Sequence, residues 1–337
     1  MVLIGIIGSG YIAETHAKSL EKITDADLKA VTGGSRAKSF AEKYDIVFFS
    51  SVEEMLRSDT IDSVIITSPH GVLREQAIVA ANNNKNVYLE KPMALTAEDC
   101  QQIIDACDKN NVTLMIGQSQ RYFHTNTLVK KILDSGELGK PLIVRSSQLG
   151  AGLDLRGLPS NHWALDERMG GSGSTLGYGV HNIDKVLWWL NDIPSKIYGS
   201  FRSDWIAQNK DTSSFIQLST TKGTDVQIWN QLSFEGKMFD YQRDCAEIIC
   251  EKGNIECQTY RRVRVCKENA DWENVYEMNF REHRAEIFGL PINEFVDSIV
   301  QKRLPAIRGT DGLNAVKVVE LAYKSSNNNE VVVWNQD

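Results

Sequence analysis

The chain has no CxxC pair, no apolar run long enough to cross a bilayer and no concentrated basic segment. Each gap removes a class of function. None of the six cysteines, Cys100, Cys107, Cys245, Cys250, Cys257 and Cys266, has histidines at zinc-ligand spacing. No metal is expected, and the thiols read as reduced, buried side chains. A membrane helix needs about twenty consecutive apolar residues, and none occurs here. The opening MVLIGIIGSG runs straight into a strand and a glycine turn. A cytoplasmic protein with no membrane partner is expected. Nucleic-acid binding needs clustered Lys and Arg, but the formal charge is -7. The densest basic group, Arg261, Arg262 and Arg264, alternates with Val263 and Val265 as a solvated strand face does. There is also no internal repeat and no low-complexity linker.

What is present fits two globular domains. The 337 residues exceed one usual hydrophobic core, and 42% hydrophobic with 24% charged residues is ordinary for globular protein. From residue 2 to about residue 117, short β-branched runs alternate with amphipathic stretches, the pattern of a parallel sheet covered by crossover helices. The strands read as Val2–Ile7, Leu28–Thr32, Ser63–Thr67, Asn86–Leu89 and Thr113–Ile116. The helices between them read as Ile12–Ile23, Ser35–Tyr44, Val52–Arg57, Leu73–Asn82 and Ala97–Lys109. This predicts an α/β chain whose N-terminal domain, residues 1–121, is a doubly wound Rossmann sheet.

After a helix at Asn126–Ser135, strands dominate: Leu142–Leu149, Lys196–Asp204, Ser213–Thr220, Asp225–Phe234, Ala246–Glu251, Asn254–Thr259, Val263–Cys266 and Val275–Asn279. Thr221-Lys222-Gly223 and Lys252-Gly253 read as hairpin turns. With helices near Gly179–Leu190, Glu286–Gln301 and Gly312–Ser325, residues 122–337 form an expected α+β domain with a large, mostly antiparallel sheet. Trp188 and Trp189 follow Ile183 and Val186 at helical spacing, which reads as core.

Gly8-Ser9-Gly10-Tyr11-Ile12-Ala13 follows an apolar strand and opens a helix, the context that gives a GxGxxG/A pattern meaning. Gly8 permits the turn, Gly10 lets the backbone approach a pyrophosphate, and Ala13 allows the helix to pack on the strand. A dinucleotide is the expected cofactor. NAD selection usually rests on an acidic residue at the end of the second strand, but here Gly33-Gly34-Ser35-Arg36 follows Thr32. The glycines leave room for a 2′-phosphate, and Ser35 and Arg36 can donate to it. NADP is favoured. The alternative is NAD held by backbone contacts, with Arg36 a plain exposed first-turn residue.

Glu90-Lys91-Pro92 after the strand Asn86–Leu89, and Thr67-Ser68-Pro69-His70 after the strand before it, combine with the glycine turn into a pattern that resembles the Gfo/Idh/MocA family. This is the glucose-fructose oxidoreductase and inositol dehydrogenase family. Gln118-Ser119-Gln120-Arg121-Tyr122, Ser135-Gly136-Glu137-Leu138-Gly139, Gly170-Gly171-Ser172-Gly173, His181-Asn182-Ile183-Asp184 and Ile248-Ile249-Cys250-Glu251-Lys252-Gly253 extend the likeness over nearly the whole chain. The resemblance implies hydride transfer between a nicotinamide and a hydroxyl or carbonyl of a sugar, polyol or related small molecule. It implies that Lys91 polarises or protonates the substrate oxygen and that His181 moves the proton, roles both residue types can fill. Gly8, Gly10, Tyr11, Ile12, Ser35, Arg36, Thr67, Ser68, Pro69, His70, Glu90, Lys91, Pro92 and Arg121 are the expected cofactor residues. A homodimer or homotetramer through the second domain's sheet is expected as well.

One position departs from that pattern. The family commonly has an aspartate four residues before the histidine, and here Gly177 stands there. Tyr178 and His162 are the nearest candidates by sequence to replace that acid, Tyr178 as a phenolic proton donor or, alternatively, as a packing residue between domains. His162, Trp163, Asn182 and Asp184 are candidate substrate contacts, with His162 open to reading as an exposed loop residue. Two other functions stay open on sequence: a nicotinamide-assisted glycosidase, and a dinucleotide-binding sensor that does not turn over.

Overall fold

A computed structural model describes residues 1–150, 158–171, 173–203, 210–231 and 244–334. The chain divides into two units, residues 1–119 with 283–313, and residues 120–282 with 314–337. The sequence reading instead puts everything after residue 121 in one domain. Residues 283–313 return to the first unit because their apolar side chains complete its core. Phe295 meets Tyr88 edge to face at 5.7 Å, and the Ile307 carbonyl accepts from the Ile116 amide at 3.4 Å.

The first unit runs β1 (Val2–Ile7), α1 (Tyr11–Leu20), β2 (Ala26–Thr32), α2 (Ala37–Tyr44), β3 (Val47–Phe48), α3 (Val52–Arg57), β4 (Ser63–Ile66), α4 (Leu73–Asn82), β5 (Asn86–Leu89), α5 (Ala97–Lys109) and β6 (Leu114–Ile116). All strand pairs are parallel, in the order β3-β2-β1-β4-β5-β6. The central strands β1 and β4 are buried almost throughout, as strands covered on both faces must be. Ser51 and Thr96 cap α3 and α5 by accepting from the Glu54 and Asp99 amides. The strand order reverses at β1, so the carboxyl ends of β1 and β4 bound the crevice where such sheets take ligands.

The second unit and the returning segment comprise α6 (His124–Ser135), β7 (Pro141–Leu149), α7 (Glu167–Gly170), α8 (Val180–Leu190), β8 (Pro194–Arg202), β9 (Ser213–Thr220), β10 (Asp225–Gln231), β11 (Asp244–Cys250), β12 (Gly253–Gln258), β13 (Arg262–Lys267), β14 (Glu273–Glu277), α9 (Phe280–Val300), α10 (Gly309–Asn328) and β15 (Val332–Val333). The nine strands are ordered β14-β13-β12-β11-β7-β10-β9-β8-β15. Every pair is antiparallel except β7 with β10. The expected ends of two strands, Asp204 and residues 232–234, lie outside the described residues, as does Ser172 of the glycine-rich loop.

Alternation along β7 shows how the sheet is used. Val144, Ser146 and Gln148 are buried on the face that carries α8, whereas Ile143 and Arg145 point outward. Phe215, Trp229 and Ile249 are likewise exposed apolar residues of the other strands. This second face therefore presents aromatic and branched side chains to water.

Candidate active site

The phosphate-binding turn is assembled from loops that leave the carboxyl ends of adjacent strands. The Gly8 amide donates to the Thr32 carbonyl at 2.8 Å, and the Thr67 amide donates to the Ile7 carbonyl at 2.8 Å. These bonds fasten the ends of β2 and β4 to either side of β1. Gly8 has φ +115°, and a Cβ there would come within 2.4 Å of Thr67 Oγ1, so only glycine fits. At Gly10 a Cβ would meet nothing closer than an Arg36 Nη2 at 3.9 Å. Open space therefore lies over the second glycine, with one guanidinium at its rim. Gly10 is also the N-cap of α1 and provides no side-chain cap, which leaves the first helical N–H groups available to an anion. A dinucleotide pyrophosphate fits this cradle.

The other cofactor candidates of the first unit lie on neighbouring loops. Gly33 and Gly34 both have positive φ, and a Cβ on Gly34 would lie 2.5 Å from Ser9 Oγ, so this loop rests directly on the turn. Ser35 and Arg36 then stand exposed at the start of α2. Tyr11 is 60% exposed, with the Arg284 guanidinium 5.6 Å over its ring, and Ile12 is half-buried. Thr67, Ser68, Pro69 and His70 leave β4 half-buried. Glu90, Lys91 and Pro92 leave β5, with a cis Lys91-Pro92 bond. Lys91 is half-buried, and desolvation pulls its ammonium below the ordinary lysine pKa while the Glu90 charge pulls it back up. A lysine so placed gives up its proton more readily than a surface one.

The second set of candidates lies on and around α8. One turn of π-helix, Thr175–Gly179, runs directly into α8, a device often found at functional sites. It brings Tyr178 edge-on to His181, with ring centroids 5.9 Å apart. The buried Asp211 holds the start of this turn, accepting from Ser174 Oγ at 2.9 Å and from the Thr175 amide and hydroxyl at 2.9 and 2.6 Å. Tyr323 also donates to Asp211. Burial raises the Asp211 pKa, and these hydrogen bonds oppose the rise.

Arg121 and Asp184, read from sequence as a cofactor and a substrate contact, are brought together in a buried bidentate pair. Arg121 also lies 5.6 Å from the Trp188 ring. Asn182, expected to touch substrate, is fully buried against the sheet instead. Its Oδ1 accepts from Ser146 Oγ at 2.6 Å, and its Nδ2 donates to Asn230 Oδ1 at 3.2 Å. His162 accepts the Ala164 amide on Nδ1 at 3.2 Å and so caps a short turn, while Trp163 packs with Leu158, Ala164 and Leu165.

Lys185 escaped the sequence reading altogether. It is fully buried, its Nζ lies 2.9 Å from Asp244 Oδ1, and Asp244 also accepts from Thr259 Oγ1 at 3.0 Å. The available signal was a lysine set directly before the apolar run of α8 at residues 186–190. Among the described residues, no group of three or more His, Cys, Asp or Glu side chains could hold a metal ion, and no helix is long and apolar enough to cross a membrane.

A classic-order Rossmann sheet with this glycine turn defines a dinucleotide-binding protein of the oxidoreductase type. Residues 2–118 match the oxidoreductase family with an NAD-binding Rossmann fold, Gfo/Idh/MocA, and residues 127–256 match that family's C-terminal domain. The chain belongs to the Gfo/Idh/MocA oxidoreductase family. It is 31% identical to an uncharacterized oxidoreductase of Streptococcus pneumoniae, over 58% of this chain and 52% of that protein. It is 25% identical to the inositol 2-dehydrogenase/D-chiro-inositol 3-dehydrogenase of Lacticaseibacillus casei, over 99% of this chain and 95% of that one. The fold also superposes on a levoglucosan dehydrogenase bound to NADH and L-sorbose, with a TM-score of 0.89, 17% identity, and coverage of 100% of this chain and 99% of the other.

Proposed function

We propose that this protein transfers a hydride between a nicotinamide dinucleotide and a secondary hydroxyl or carbonyl of a sugar or polyol. The observation that carries the reading is the meeting of the loops after β1, β2 and β4 at one open glycine turn, with the desolvated Lys91 in the loop after β5, the strand next to β4. Near-full-length similarity to an inositol dehydrogenase supports the substrate class. When bound, the nicotinamide supplies or accepts the hydride.

The protein's own groups handle the rest. The turn and the N-terminus of α1 hold the pyrophosphate, and Ser35 and Arg36 receive the adenine ribose end, with NADP preferred because no carboxylate follows β2. Lys91 donates to the substrate oxygen and favours the charge that develops there. His181 moves the hydroxyl proton. Tyr178, edge-on to that imidazole, is the neighbouring hydroxyl in place of the acid absent at Gly177. Free nicotinamide cofactor is a cell-interior resource, so we assign the reaction to the cytoplasm.

The outer face of the nine-stranded sheet carries a groove of about 850 Å³, lined by Arg145, Tyr198, Gln217, Glu247, Ile249 and Trp272. We assign this mixed apolar and charged face to a second copy of the chain. Light scattering at micromolar concentration should give a dimer or tetramer, and a monomer would overturn that assignment.

The test of function is absorbance at the reduced-nicotinamide band with NADP or NAD and a panel of inositols, aldoses and anhydro sugars. Steady growth of that band with at least one of them is expected. Tight cofactor binding with no turnover on any would favour a sensor.

A further inference from the structure

His16 lies on α1 with its side chain 3% exposed, and its Nε2 is 2.8 Å from Oε1 of Glu90, whose side chain is 14% exposed. Its ring meets Tyr88 edge-on, with centroids 5.4 Å apart. The second Glu90 oxygen, Oε2, accepts from the Lys91 backbone amide at 3.2 Å. Gly117, just beyond β6, leaves room for this carboxylate, since a Cβ there would press on it at 3.1 Å. His16 Nδ1 is buried without a hydrogen-bond partner among the described residues. A hydrogen on that atom would be a buried unpaired donor, which costs more than a bare lone pair. The tautomer that carries hydrogen on Nε2 and donates it to Glu90 follows from this geometry.

The phosphate cradle does not need these contacts, because it uses the first N–H groups of α1 and His16 lies more than a turn further along the helix. They tie the cofactor helix to the Glu90-Lys91-Pro92 loop. We propose that His16 is a positioning residue that fixes the Glu90 carboxylate on the Lys91 main chain and so sets the charge environment of the Lys91 ammonium. This rests on reading Lys91 as the proton-handling lysine.

The groups around the pair are few. Tyr88 of β5 and Glu90, just beyond that strand, face His16, and Glu14, on α1 itself, is turned to Lys43 and Tyr44. Burial lowers the Lys91 pKa, and the Glu90 charge is the force opposing it. A carboxylate freed from His16 loses one of its two fixed donors. It is then free to move toward the Lys91 ammonium, on which its charge already acts, and the proton there is held more tightly.

The test follows Lys91 directly in the full-length, cofactor-free protein. Lysines are reductively methylated with a ¹³C label, the Lys91 signal is identified by its loss in K91R, and its titration midpoint is read by NMR. In H16L the midpoint should rise by about one pH unit, a tenfold change in proton affinity. H16Q keeps a side-chain N–H donor and should stay near wild type. If H16L does not fold, H16S removes the same donor from a smaller polar side chain and should show the same rise.

A midpoint unchanged in the variant lacking the donor overturns the proposal. So does an H16Q midpoint that moves as far, because packing rather than the hydrogen bond would then set it. Failure of the underlying reading shows separately, as wild-type turnover in K91M.

Discussion

Arg121 grips Asp184 with two parallel hydrogen bonds, Nε to Oδ2 at 2.8 Å and Nη2 to Oδ1 at 2.6 Å, and both side chains are almost wholly out of water. Asp184 lies one helical turn after His181 on α8, so the pair fixes the rotation of the helix that carries the proposed proton carrier.

Removing one member of such a pair leaves the other charge buried and uncompensated, at a cost of about 3–5 kcal/mol. D184N should therefore lower the melting midpoint by roughly 10 °C in a unit of this size. R121M should do nearly the same. In the double variant R121M/D184N neither charge remains, so the loss should fall well short of the sum of the single losses. Additive losses would show that the two side chains do not act on each other.

Lys91 links the site to stability through pH. Its folded-state pKa is lowered by burial, whereas the unfolded chain keeps the ordinary value. Below the lowered value both states are protonated, and the folded state bears the full cost of a desolvated charge. Between that value and the unfolded one the unfolded chain binds more protons, so stability rises with pH. K91M removes the charge and should melt higher than wild type at neutral pH, with the gap closing as pH climbs toward the unfolded lysine value. The same variant should lose about a hundredfold or more in turnover and bind the cofactor within about threefold of wild type. A melting gap independent of pH would contradict the burial argument.

Much of this was legible in the sequence, and what was not has physical reasons. Val2–Ile7 and Asn86–Leu89 have the observed strand limits, each a short run that ends at a recognisable motif. Val47–Phe48 and Val332–Val333 were missed because two residues make no pattern. The Gly8 turn and the Glu90-Lys91-Pro92 loop are local in sequence, so a motif is enough to single them out as candidates.

Around α8 the reading was weaker. Whether Asn182 faces ligand or sheet depends on Ser146 and Asn230, tens of residues away. The partner of Lys185 is Asp244, 59 residues on. Polar residues on a helix announce that they need partners and do not say which. The return of residues 283–313 to the first unit is likewise a matter of tertiary packing, invisible to periodicity.

Gly8 offers a test of the turn that leaves every charge in place. With φ +115° and Thr67 Oγ1 2.4 Å from a built Cβ, G8A forces the turn away from β4. The dinucleotide dissociation constant, followed by quenching of protein fluorescence, should rise at least about tenfold. Wild-type affinity in G8A would mean that the phosphates lie elsewhere.

On the proposed reading, Arg36 selects the phosphorylated dinucleotide. Its guanidinium lies at the rim of the open space over Gly10, exposed, after a β2 that ends with two glycines and no carboxylate. A 2′-phosphate accepted there gains charge-assisted hydrogen bonds worth about 1.5–3 kcal/mol. R36A should therefore weaken NADPH binding roughly 10- to 100-fold and change NADH binding by less than about threefold. S35D should act in the same direction more strongly, because a carboxylate there repels the 2′-phosphate and can accept from the ribose hydroxyls of NADH. Titration of the reduced cofactors by fluorescence against wild type, R36A and S35D separates the two outcomes. If wild type binds NADH as well as NADPH and R36A weakens neither, Arg36 is an ordinary surface residue at the start of α2, and the preference for the phosphorylated cofactor falls with it.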